Sequence, residues 1–162
     1  MDERTRLIEH LQQARRGMYA VVDQIHRQME IYPGWTIKHI LAHITGWDDA
    51  MIASLRSHMV GDVPATPAVR GIDYYNAQTV EERSSLDYGR IYREWEVSRK
   101  ELEKIILEMP AEKFAQPLVL PWGNEGTVSQ VVGIFTRHEE AHAAEIQDLL
   151  NKTPKSYMDN QT

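Results

Sequence analysis

Apolar residues recur along this chain at steps of three and four, in four long blocks separated by segments rich in proline and glycine. The first block covers residues 3–29. Leu7, Ile8, Leu11, Ala14, Met18, Val21, Val22, Ile25 and Met29 share one face with charged residues between them, which predicts helix one. Ile31-Tyr32-Pro33-Gly34 interrupts the pattern, and so short a turn predicts helix two as the antiparallel neighbour of helix one. Helix two begins at Thr36 as N-cap and runs to about residue 59, with Ile37, Ile40, Leu41, Ile44, Trp47, Met51, Ile52 and Leu55 directed inward. Helix three spans about 72–109, with a weak point at Ser84-Ser85 or Gly89 and its clearest stripe at Ile91, Trp95, Ser98, Leu102, Ile105, Ile106 and Met109. Helix four opens on Thr127-Val128-Ser129-Gln130, a capping box, and ends near Leu150.

The connections decide the topology. Residues 60–71 contain Gly61, Pro64, Pro67 and Gly71 and read as an extended linker. Twelve extended residues reach about 40 Å, the length of a helix of about 24 residues, so helices two and three can run parallel. Residues 111–126 form a second long connection, with a little extended structure expected at Leu118-Val119-Leu120. The result is an all-α four-helix bundle in up-down-down-up order. One domain is expected over residues 1–151, followed by a polar, fraying tail over 152–162.

Composition narrows the chemistry. With 162 residues, 42% hydrophobic and 26% charged, the chain suits one soluble globular domain. A net charge of -6 and the lack of a basic run argue against nucleic acid. No apolar run approaches a membrane span and the N-terminus has no signal-peptide pattern, so a cytoplasmic protein without a membrane partner is expected. Cysteine is absent, which leaves His, Asp and Glu as the side chains for any metal site.

His138 and His142 lie four residues apart on the apolar stripe of helix four, and two imidazoles facing a core call for a partner. Helices two and four run antiparallel in the expected topology. His43 lies roughly 10 Å beyond the start of its helix, and His142 roughly 12 Å from the matching end of helix four. Three imidazoles at similar depth can hold a divalent ion at about 2.0–2.1 Å, with a fourth position open to water or substrate. His138-Glu139-Glu140-Ala141-His142 also fits the zinc-peptidase pattern, with Glu139 as base. That reading ranks lower, because such peptidases take a third ligand further along the chain and bind substrate at a sheet edge. Within the bundle, Glu139 could instead orient a ligand histidine.

His39, one turn before His43, is assigned a hydrogen-bonding or surface role rather than ligation, and His10, His26 and His58 are read as surface or hydrogen-bonded residues. Trp47 and Trp95 read as core aromatics, with Trp47 also able to wall the pocket. Tyr75, Asn76 and Arg83 are weaker pocket candidates. The acidic pairs Asp48-Asp49, Glu81-Glu82 and Glu139-Glu140 read mostly as solvated faces.

The run Pro33-Gly34-Trp35-Thr36-Ile37-Lys38-His39-Ile40-Leu41-Ala42-His43-Ile44-Thr45-Gly46-Trp47, the Tyr74-Tyr75-Asn76 opening of helix three, and His138-x-x-x-His142 with Ala143 to Ile146 resemble the DinB-like superfamily of metal-binding four-helix bundles. The resemblance covers most of the chain and implies His43, His138 and His142 as ligands of a divalent ion, zinc or nickel. It further implies a homodimer and a transfer or isomerisation reaction using a low-molecular-weight thiol such as bacillithiol or mycothiol. The expected activity is a metal-dependent thiol S-transferase, or a related transferase or hydrolase, acting on an electrophilic small molecule. The alternative is a non-catalytic, stress-associated bundle that binds a metal or ligand.

Overall fold

The computed structural model describes residues 1–159. Four long helices form the bundle: α1 (Glu3–Val22), α2 (Ile37–Val60), α4 (Tyr88–Glu108) and α6 (Val128–Lys152). Between them lie α3 (Ile72–Glu82), α5 (Ala111–Ala115) and a short hairpin of β1 (Leu118–Val119) and β2 (Glu125–Gly126), paired antiparallel with Leu118 opposite Gly126. The order is up-down-down-up, which the long crossover permits. Within the expected tail, Lys155–Asp159 is a short helix, α7, and residues 160–162 lie outside the described residues. No described helix is long and apolar enough to cross a membrane.

Local signals set most helix starts. Thr36 caps α2 jointly with His39, and Thr127 and Gln130 form the expected capping box on α6. Asp87 caps α4 by accepting from the Arg90 amide at 2.8 Å. That cap falls inside the span read as a single third helix, which is therefore two helices with a break over residues 83–87, at the Ser84-Ser85 weak point. Helix one also ends earlier than its periodicity suggests, at Val22. The His26 ring accepts from the Gln28 amide at 3.1 Å, a local bond that competes with helix, while Ile25 remains buried through a turn.

The packing corrects one expectation. α1 lies against α6 and α4, and α2 lies against α4, α3 and α6, so α1 and α2 are antiparallel but not close neighbours. A two-turn connection constrains where helix two begins, not which helix its apolar face meets.

The core has two apolar layers. One holds Leu11, Met51, Leu55, Leu102 and Val131; the other holds Met18, Ile40, Leu41, Trp95 and Ile146. On each long helix one buried charged residue separates them: Arg15 on α1, Asp48 on α2, Arg99 on α4 and Glu139 on α6. Arg15 donates to Glu139 at 2.6 Å and to Asp48 at 3.1 Å. Arg99 donates to Asp48 at 3.0 Å and lies 2.6 Å from the second oxygen of Glu139. Two cations meet two carboxylates, so the layer is neutral and its members compensate one another's desolvation. Asp48 and Glu139 are thus interior residues, contrary to their reading as solvated, whereas Asp49, Glu81, Glu82 and Glu140 are exposed.

Gly46 brings α3 onto α2. A Cβ at Gly46 would lie 1.8 Å from Thr79 Oγ1, so only glycine permits this approach. Tyr75 then donates to the Gly46 carbonyl at 2.6 Å, and the neighbouring Asn76 is delivered to the histidines.

Candidate metal centre

His43 projects from α2 and is 4% exposed; His138 and His142 project from α6 and are half-buried. Their Nε2 atoms converge, with His43 to His138 at 2.9 Å and His142 to His138 at 3.0 Å. Both contacts share His138 Nε2. A ring nitrogen has one in-plane position, occupied by either a proton or a lone pair, so at most one contact can be a hydrogen bond. Three lone pairs directed at a common point are instead what a divalent cation requires.

Of the other ring nitrogens, that of His142 fits the same arrangement. Tyr32 donates its hydroxyl proton to Glu145, so its oxygen accepts from His142 Nδ1 at 2.8 Å. This pairing puts the His142 proton on Nδ1 and leaves Nε2 free as a ligand. His43 Nδ1 is buried without a partner, and Trp35 packs over that ring with centroids 5.2 Å apart. Burial and the neighbouring histidines push His43 down to about 3 and His142 down to about 4; burial also lowers His138, against the opposing pull of Asp48. All three rings are therefore neutral near pH 7, the form that binds metal. The donor set fits zinc or nickel, and three protein ligands leave room for another.

An open pocket of about 590 Å³ reaches the cluster, lined in part by Tyr32, Trp35, Asn76 and Glu145. A smaller recess of about 230 Å³ adjoins it behind Trp47 and Phe135. Trp47 donates to Asn76 Oδ1 at 2.8 Å, so these two expected pocket residues act as a pair. Tyr75 lines neither space: its ring packs on Trp47 and its hydroxyl is committed to Gly46. Arg83 lies on another face, held by Asp49, Glu94 and Thr79. His39 is outside the cluster, with Nδ1 accepting from the Thr36 amide at 3.0 Å. Glu139 orients no histidine. One residue along a helix is a turn of about 100°, which carries its carboxylate from the histidine face to Arg15 and Arg99.

Residues 7–147 match the family described as the mycothiol maleylpyruvate isomerase N-terminal domain. The chain belongs to that family. It is a DinB-like four-helix bundle, and solved structures share its fold. The mycothiol-dependent maleylpyruvate isomerase is 16% identical with a TM-score of 0.69, over 90% of this chain and 63% of that one. This family member thus spans less than two thirds of the isomerase's length. YfiT from Bacillus subtilis, described as a probable metal-dependent hydrolase with an unusual four-helix bundle topology, is 15% identical with a TM-score of 0.67, over 94% of this chain and 89% of that one. No curated protein matches the chain.

Two participants in this site, Tyr32 and Glu145, are absent from the sequence-based expectations. Glu145 follows His142 by three residues on one helix face, a visible local signal. Tyr32 lies 110 positions from His142, and no spacing rule connects them.

Proposed function

We propose that the protein is a divalent-metal-dependent enzyme that joins a low-molecular-weight thiol to an electrophilic small molecule, with His43, His138 and His142 as metal ligands. The observation that carries this reading is the convergence of three neutral Nε2 atoms at the base of a pocket open to solvent. A divalent ion held by these three histidines, zinc or nickel by their donor type, would supply Lewis acidity that lowers the pKa of a thiol or water. The protein's own part is positional. The Tyr32–Glu145 pair fixes the ring and tautomer of His142, Trp35 covers His43, and Trp47 and Phe135 give the cluster an apolar aromatic wall on one side. In the reaction, the thiolate electron pair forms a sulfur–carbon bond. The leaving group departs with the electrons of the broken bond and takes up the proton shed by the thiol.

The open pocket favours this over a sequestering bundle, in which a fourth protein ligand would close the site. Metal analysis of untagged protein purified without chelator is expected to find one zinc or nickel per chain, lost in His142→Ala with the helical circular dichroism retained. The wild type should then consume thiol in the presence of model electrophiles, and the variant should not. No metal uptake on addition of either ion would sink the proposal.

A further inference from the structure

The recess beside the histidines differs in character from the mouth. Its volume is about 230 Å³, and Trp47, Trp122, Ile134 and Phe135 form its wall, with ring centroids of 5.3 Å for Trp47–Phe135 and 6.2 Å for Trp122–Phe135. An apolar cavity of about 150 Å³ accepts one benzene ring, so this space suits a single ring with a substituent. His43, Asn76 and His138 border both the recess and the mouth, which places an occupant of the recess directly beside the cluster.

Charge restricts the occupant. Among the described residues no lysine or arginine lines either space, and the acidic side chain present is Glu145, at the mouth. In the metal-free protein a carboxylate seated deep in the recess has no cationic partner and loses hydration at a cost of several kcal/mol, and an ion held by the histidines would reach only the end of the recess that His43 and His138 border. Asn76 Oδ1 already accepts from Trp47, so Asn76 can offer a ligand its Nδ2 amino group, a donor for one neutral acceptor.

We infer that the electrophile is an uncharged, single-ring-sized apolar molecule bearing one hydrogen-bond acceptor, seated in the recess between Trp47, Trp122 and Phe135, while the polar mouth takes the thiol. This rests on the proposed function in treating the occupant as an electrophile.

Anisole and benzoate form a matched pair, the same ring with a neutral acceptor or with a charge. Calorimetric titration of the full chain, with metal stripped and with zinc loaded, is expected to show the metal-free protein binding anisole about tenfold or more tightly than benzoate. Anisole should shift the indole N–H resonances of Trp47 and Trp122 and leave that of buried Trp95 in place. Ile134→Trp, at a partly exposed position on the rim, should weaken anisole binding about tenfold while zinc stoichiometry is unchanged. Equal or tighter benzoate binding by the metal-free protein, or unshifted Trp47 and Trp122 resonances at saturating anisole, overturns the inference even if zinc binds. Anisole selectivity in a protein that takes up no zinc overturns the metal reading, and with it the occupant's role as electrophile, while the recess's choice of an uncharged single ring stands.

Discussion

Arg15 Nε donates to Glu139 Oε1 at 2.6 Å, joining the first long helix to the last across 124 positions of sequence. Glu139 lies within the His138-x-x-x-His142 segment, yet its carboxylate belongs to the charged layer between the two halves of the core. Its role is therefore to hold the helix that carries two histidines.

Removing that carboxylate leaves Arg15 and Arg99 short of a partner in the interior. Glu139→Ala is expected to destabilise the fold by about 3–5 kcal/mol, read from urea denaturation midpoints. If Glu139 were instead a base or a histidine orienter, stability would barely change and activity alone would fall.

Tyr32→Phe removes the oxygen that accepts from His142 Nδ1. Zinc affinity, measured by competition with a chromophoric chelator, should drop about 10–100-fold, with stability little altered. An unchanged affinity would show that the ring is held by packing alone.

Gly46→Ala forces a methyl group into the Thr79 side chain. Overpacking of this kind costs about 1–3 kcal/mol, and the displacement of α3 should also move Asn76 away from Trp47. A perturbed Trp47 indole resonance alongside the lower midpoint would record both effects.

The metal-free protein should lose stability in acid through its histidines. Folded His43 and His142 titrate at about 3 and about 4, against an ordinary value of 6.5, so below 6.5 the unfolded chain binds protons that the folded chain does not. This contribution is fully present above 6.5, declines progressively below it, and is completely lost once pH has fallen through the folded values of about 4 and about 3. Denaturation midpoints taken between about pH 7.5 and about pH 4.5 should decline less steeply in His43→Ala, which lacks one of the titrating groups.

Periodicity, capping residues and chain length were sufficient to read an all-α bundle, the Thr36 and Thr127 caps, the crossover and the depth at which His43 meets His138 and His142. Each of these depends on local geometry: 3.6 residues per turn, a rise of about 1.5 Å per residue, and side chains that satisfy free amides within one turn. Tertiary structure decided which helices touch, since an apolar stripe specifies a face and not a partner. It placed Asp48 and Glu139 in the interior, because a carboxylate is buried only where cations from other helices meet it, and those cations lie at Arg15 and Arg99. It also brought Tyr32 to His142 and formed the recess between Trp47, Trp122 and Phe135. Such contacts arise from packing between segments far apart in the chain, where no sequence period operates.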